Sequence, residues 1–446
     1  MKQEIQLSSH FTYKRLINFT LPCIGMMIFT SIYSVVDGFF VSNYAGKTAF
    51  AAVNLIFPVL IIMVTVGFML GTGGSAIVAK AFGEGDEERA NSNFSLFVYT
   101  GLIIGVVIAV LGYIFIRPIA IALKAEGELL ENAVLYGRII LVSLPFNILQ
   151  YLFQPFFVTA EKPKLALWST VCAGVINIVL DAVLVILLPL EYKLAGAATA
   201  TAVSQIIGGI IPLVYFGRKN TSILRLGKTN FDGRALMQAC INGSSEFMSN
   251  IAMNVVGILY NVQLLKYAGE NGVAAYGVMM YVSLIFSGAF IGYSIGTAPI
   301  FGYNDGARNY TELKNLLKKS LILIGIFSFV MTVLAEVMTV PLSKFFVGYD
   351  AELMSLTVSG FRIYSIAFLF MGYAIFASSF FTALNDGVTS AIISFLRTLV
   401  FQVGSVLLLP VILGINGIWY SDVVAEFMAV IFSAIFMFTK RKKYHY

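Results

Sequence analysis

"YAGKTAFAA", residues 44–52, returns as "YAGENGVAA", residues 267–275, and the offset of 223 residues between them decides the architecture. The same offset carries Gly73 onto Gly296, Gly83 onto Gly306, Gly137 onto Gly360, and Thr159–Ala160 onto Thr382–Ala383. One fixed shift held from Tyr44 to Ala160 means that the chain contains two copies of one unit. What that unit is follows from composition. The 446 residues are 59% hydrophobic and 12% charged, with a mean hydropathy of +0.87, too apolar for a soluble globular protein.

A membrane-spanning helix needs roughly 20 mostly apolar residues. Runs of at least that length fill nearly the whole chain and predict twelve helices, near 14–42, 50–82, 94–116, 133–159, 164–189, 194–217, 235–268, 272–303, 316–340, 355–384, 387–412 and 415–439. The expected fold is an all-α membrane protein: an N-terminal six-helix lobe over 1–216, a linker over 217–234 ("GRKNTSILRLGKTNFDGR"), and a C-terminal six-helix lobe over 235–446. An even number of spans per copy gives both lobes the same orientation, so they should be related by an axis along the membrane normal. That is a transporter architecture with a central cleft.

Charge sets the expected topology. With both termini in the cytoplasm, 20 of the 29 basic residues, among them Lys2, Lys80, Lys162, Arg225, Arg308 and Lys443, fall on the inner side and 6 on the outer. That asymmetry predicts N-in, C-in insertion, and short inner loops point to a prokaryotic plasma membrane. The net charge of +6 therefore reports inner loops and not a nucleic-acid partner. Cys23, Cys172 and Cys240 lack paired spacing and read as packing residues. His10 and His445 lie near the termini, "GEGDEERA" (83–90) lacks the lysine of a phosphate-binding loop, and no nucleophile–base pair stands out, so an enzyme is not expected. No cofactor is expected, and the chain reads as a monomer.

The chemistry rests on acids placed at membrane depth. Asp37, in "SVVDGFFVSN" (34–43), lies roughly 35 Å along helix 1, in the outer part of the bilayer. Helix 5 carries Asn177 and Asp181 four residues apart, on one face, and helix 6 brings Thr199 or Thr201 to a similar depth. Two carboxylates in low dielectric either share protons or bind Na⁺ with help from neutral oxygens. Both describe a cation-coupling site at Asp37, Asn177, Asp181 and Thr201; the plainer alternative is two unrelated acids facing water.

Pro22 and Asp37 in helix 1, "NIVLD" (177–181), the repeated "YAG…A", and "FGEGDEERA" (82–90) against "DGARNYTEL" (305–313) together resemble the multidrug and toxic compound extrusion (MATE) family, over almost the full length. The resemblance implies a V-shaped, twelve-helix antiporter that exports bulky, often cationic organic compounds in exchange for H⁺ or Na⁺. It also implies that residues matching Asp37, Asn177 and Asp181 form the first-lobe cation site, and that the helix bearing Pro22 bends as the site titrates. Proline removes one backbone hydrogen bond, which permits such bending.

The second lobe departs from that pattern. Glu246 in "NGSSEFMSN" (242–250) matches a family glutamate, but helix 10 has no internal acid before Asp386. Asp422 and Glu426 share one face of helix 12, and Arg397 is unusual in helix 11. Arg397 is expected to pair with Glu426 or Glu246, either as a structural ion pair or leaving the second acid free for substrate or a proton. Asn147, Gln150 and Gln154 line one stripe of helix 4, facing a cleft or bonding between helices. A rival function is a lipid-linked precursor or polysaccharide flippase of the same superfamily, which needs a strongly cationic cleft.

Overall fold

The structure, a computed structural model, describes residues 5–446. Lys2, counted above with the inner basic residues, lies outside the described residues. The chain is helical throughout: α1 (Tyr13–Phe40, ending in a π-helical turn, Val41–Ala45), α2 (Lys47–Gly83), α3 (Glu87–Ala122), α4 (Gly127–Thr159), α5 (Pro163–Leu187) and α6 (Leu190–Gly217). The second copy holds α7 (Gly233–Gly306), α8 (Tyr310–Val347), α9 (Ala351–Ser365), α10 (Phe368–Ala383), α11 (Gly387–Phe395, continued by a π-helical stretch, Leu396–Gln402), α12 (Val403–Leu413) and α13 (Ile415–Tyr444).

At 74 residues α7 would be about 110 Å long if straight, more than twice a bilayer. It is a hairpin. Gly269 takes φ 62° and ψ −152°, and Tyr260 stacks on Tyr276 across the turn with ring centroids 4.8 Å apart. Gly46, at the same place in the first copy, has φ 95°. The glycine of the repeated "YAG" is thus the residue whose left-handed backbone reverses the chain at the same point in both copies. Helices 7 and 8 of the sequence reading are joined with only Gly269 between them, and helix 10 is instead broken, α9 and α10 meeting at 46°. With α7 as two spans, α9 with α10 as one, and α11 with α12 as one, the described residues form twelve spans in two pseudo-symmetric lobes.

The lobes meet on the face that carries both chain ends. A Cβ on Gly83 would fall 2.8 Å from the Ala307 nitrogen, and one on Gly306 would fall 3.0 Å from the Lys80 carbonyl carbon, so α2 and the second span of α7 cross backbone to backbone. Gly73 lies against Ala239 and Gly243, and its counterpart Gly296 against Thr20. Lys80 Nζ pairs with Asp305 Oδ2 at 2.8 Å, and Asn385 Nδ2 donates to the Ala76 carbonyl at 3.3 Å. From these ends the contact runs inward as far as Ser31 Oγ, which donates to the Leu284 carbonyl at 3.1 Å.

The joint between α6 and α7 is not a free loop. Arg225 N donates to Asn91 Oδ1 at 2.7 Å, Gly227 N to Ser95 Oγ at 3.0 Å, and Leu224 is wholly buried, so the segment is stitched onto α3.

Candidate functional site

Asp37 is carried by α1 one turn before its π-helical end, Asn177 and Asp181 by α5, and Thr201 by α6, three helices packed against one another. Thr201 Oγ1 donates to Asp37 Oδ1 at 3.2 Å, and Asp37 faces both Asp181 and Asn177. Asn177 and Asp181 are almost wholly buried, and both polar atoms of each side chain lack a hydrogen-bond partner. An unsatisfied buried polar group costs about 1–3 kcal/mol, and more if charged, so four such atoms on residues beside the Asp37 carboxylate make this a candidate ligand site. Thr199, the other hydroxyl considered for this depth, is exposed and bonds only to its own helix at Ala195.

Two tyrosines that sequence reasoning missed complete the walls. Tyr136 of α4 faces Asp37, Asp181 and Thr201, and Tyr33 of α1 lies beside Asp37 and against Tyr151. Tyr33 sits four residues before Asp37, a spacing that could have marked it as lying on the same helix face. Among the described residues no ion pair reaches Asp37 or Asp181. Arg138, two residues from Tyr136, points the other way and lies over the Tyr113 ring, 5.1 Å from its centroid. The oxygens at the centre, from Asp37, Asp181, Thr201 and the Asn177 amide, are hard donors of the kind that suit either a shared proton or a small monovalent cation. Pro22 lies buried within an unbroken α1, where it supplies no N–H to the Asn18 carbonyl four residues before it.

In the second lobe Arg397, at the start of the π-helical stretch, grips Glu426 of α13: Nε lies 2.9 Å from both carboxylate oxygens and Nη2 lies 2.6 Å from Oε1. Glu246 of α7 faces Arg397, but its carboxylate makes no hydrogen bond or ion pair among the described residues. Of the two partners the sequence allowed, Glu426 takes the guanidinium. Asp422, one turn before Glu426, accepts instead from Gln402 Nε2 at 2.6 Å and is almost wholly buried. A π-helical turn is rare and concentrates at functional positions; here one carries both Arg397 and Gln402. In the polar stripe of α4, Asn147, Gln150 and Gln154 are buried; the Gln150 amide packs onto Gly208 of α6, and Gln154 Oε1 has no hydrogen-bond partner among the described residues.

Two six-helix bundles about a pseudo-two-fold axis, each burying acids in an apolar interior, define a polytopic membrane transport protein. The chain belongs to the MatE family, whose profile matches residues 22–183 and again 247–407, once in each copy. It is 26% identical over 434 residues to the multidrug export protein MepA of Staphylococcus haemolyticus (strain JCSC1435), covering 97% of this chain and 94% of that protein. The MepA of Staphylococcus saprophyticus subsp. saprophyticus is 24% identical over 441 residues, with the same coverage. Among solved structures, MATE in complex with MaL6 superposes with a TM-score of 0.93 at 22% identity over 100% of both chains. The outward-facing conformation of a multidrug resistance MATE family transporter of the MOP superfamily gives 0.92 at 22% identity, over 100% of this chain and 99% of that one. At these identities the structural likeness is one of fold.

Proposed function

We propose that the chain is a secondary transporter that exports bulky organic compounds, cationic ones among them, in exchange for H⁺ or Na⁺ by alternating access. The observation that carries this reading is the first-lobe pocket: two facing carboxylates with no cation beside them, and an amide and a carboxylate whose polar atoms are buried without partners. Two such acids hold a proton or a cation between them in one state and release it in another. When Na⁺ occupies the site, Asp37, Asp181, the Asn177 carbonyl and Thr201 are the residues that would hold it.

The lobes over 1–216 and 235–446, joined by 217–234, act as the moving bodies, and the present contacts close the face carrying the termini. The distribution of basic residues supports reading that face as cytoplasmic and the membrane as a prokaryotic plasma membrane. The likeness to the multidrug export proteins MepA supports multidrug efflux, and the presence of both lobes in a single chain is consistent with a monomer. The flippase alternative needs an open cationic cleft, whereas the Arg397 guanidinium is taken by Glu426.

The test is ethidium efflux from proteoliposomes holding wild type or Asp37→Asn at equal density, with the proton and sodium gradients collapsed one at a time. Efflux that disappears with the substitution and with one gradient supports antiport and identifies the ion. Equal efflux from both proteins in the absence of any gradient would overturn the reading.

A further inference from the structure

α3 and α8 are counterparts under the 223-residue offset, which carries the N-cap Asp86 onto the N-cap Asn309. It also carries Asn91, Ser95 and Tyr99, on successive turns of α3, onto Lys314, Lys318 and Ile322 of α8. In the first lobe that face is covered by the chain's own linker. Asn91 Oδ1 accepts from Arg225 N, Ser95 Oγ accepts from Gly227 N, and the Tyr99 hydroxyl donates to the Gly227 carbonyl at 3.0 Å. In the second lobe the tail after α13 takes another course: the Tyr444 hydroxyl donates to Asp386 Oδ2 at 2.8 Å, and the Tyr446 ring lies 5.0 Å from that of Phe380. Lys314, Lys318 and Ile322 are left exposed.

We propose that this uncovered face of α8 binds an anionic phospholipid of the leaflet on the side of the termini. The two lysines lie about 6 Å apart along the helix, one turn from each other. They come immediately before the apolar run that starts at Leu321, and Ile322 and Ile326 are exposed on the turns that follow. That order sets ammonium groups at headgroup level and an apolar stripe at the level of an acyl chain. Neither lysine has an ion-pair partner among the described residues. Glu312 is the one acid between Arg308 and Phe329, and it is turned to the N-terminal arm: Oε1 accepts from Phe11 N at 2.9 Å, and Oε2 lies 2.7 Å from His10 Nδ1. Asn315 and Lys319 both donate to the Phe11 carbonyl. The arm thus takes the acid of these turns and leaves two neighbouring positive charges facing outward.

The side chains explain why the two lobes differ. An amide and a hydroxyl have lone pairs that accept the linker's N–H groups, whereas an ammonium has donors and no acceptor, so a backbone segment cannot bond to Lys314 and Lys318 as the linker bonds to Asn91 and Ser95. Two lysines call for an acceptor that is negatively charged. A lipid phosphate is the anion the bilayer supplies at that level, and its acyl chain continues along the apolar turns.

The test needs no transport assay, so it stands apart from the antiport reading. Purified full chain in a neutral detergent is titrated with phosphatidylglycerol or with phosphatidylcholine of the same acyl chains, and bound lipid is counted by native mass spectrometry. Phosphatidylglycerol should bind the more tightly, and its affinity should fall about five-fold with Lys314→Gln and again with Lys318→Gln. Arg225→Gln with Lys228→Gln, which removes two exposed charges from the linker on the same side, should leave it near wild type. All four side chains are exposed, so the variants should melt with wild type. Wild-type phosphatidylglycerol affinity in the double lysine variant, or equal affinity for the two lipids, overturns the proposal. So does an equal loss in the linker variant, which assigns binding to net charge, or displacement of the lipid by glycerol phosphate at equal concentration, which assigns it to a free anion.

Discussion

Gly83 and Gly306, 223 residues apart in sequence, each lie against the backbone of the helix that carries the other. Their helices cross on the pseudo-two-fold axis, at the face where the lobes meet. Gly83→Leu puts a side chain where the Tyr303 carbonyl and Ala307 nitrogen already are, so the lobes cannot close there. Each lobe should still fold, because the clash is between them. The expected result is a normal yield with cysteines placed on α2 and α7 near this crossing no longer forming a crosslink; crosslinking at the wild-type rate would contradict the packing.

Lys80 and Asp305 tie the same face by charge at 2.8 Å, with Asp305 the less exposed of the two and Lys80 partly exposed. A partly exposed pair of this kind is worth about 1 kcal/mol, or roughly five-fold in a two-state equilibrium. Lys80→Met should raise the population open on this face by about that factor, read as faster alkylation of a cysteine on α2 between Gly73 and Lys80. A shift that vanishes at high salt in wild type would assign it to the ion pair.

Asn177→Ala separates the two coupling ions. A bound Na⁺ loses an oxygen ligand, and half-maximal transport should need roughly ten-fold more Na⁺, a loss of about 1.4 kcal/mol. A proton shared by Asp37 and Asp181 needs no such ligand, and the dependence of transport on the proton gradient should remain near that of wild type. Transport assays across a sodium series at fixed pH give the answer.

Arg397→Gln leaves Glu426 buried without its cation. Removing one partner of a buried ion pair destabilises by about 3–5 kcal/mol, so the variant should lose much of its yield and melt well below wild type in detergent. Replacing both residues by leucine removes both charges and should recover most of the stability. Wild-type melting in the single variant would show that the pair contributes nothing to the fold.

Asp386, the N-cap of α11 on the face of the termini, supplies a pH test outside the spans. Burial alone would raise its carboxyl, but hydrogen bonds from Tyr444 and Thr389 and the charge of Lys440 outweigh it and hold it below the ordinary range. A carboxyl depressed in the folded state stabilises fully above its unfolded value, about pH 3.9, and loses that contribution as pH falls through the folded value. Docking of the tail through Tyr444 should therefore persist through neutral and mildly acidic pH and weaken only below about pH 4. Asp386→Asn should release the tail at every pH, seen as faster carboxypeptidase trimming at pH 7; unchanged trimming would contradict the latch.

The sequence by itself determined the class and the count of spans. Apolar runs of membrane length, cut by short polar joints, leave only a helical membrane bundle, and the 223-residue repeat makes it two lobes. The acids Asp37 and Asp181 were legible too, because a carboxylate in an apolar run stands out from its neighbours and rise per residue gives its depth. What only the tertiary structure decided was partnership. Helical rise fixes depth but not rotation about the helix axis, so whether Arg397 met Glu426 or Glu246, and whether Thr199 or Thr201 met Asp37, was open until the helices packed. Tyr136 and Gln402 escaped for a related reason: tyrosine and glutamine are unremarkable in such helices, and what distinguishes these two is the carboxylate that a neighbouring span lays against them.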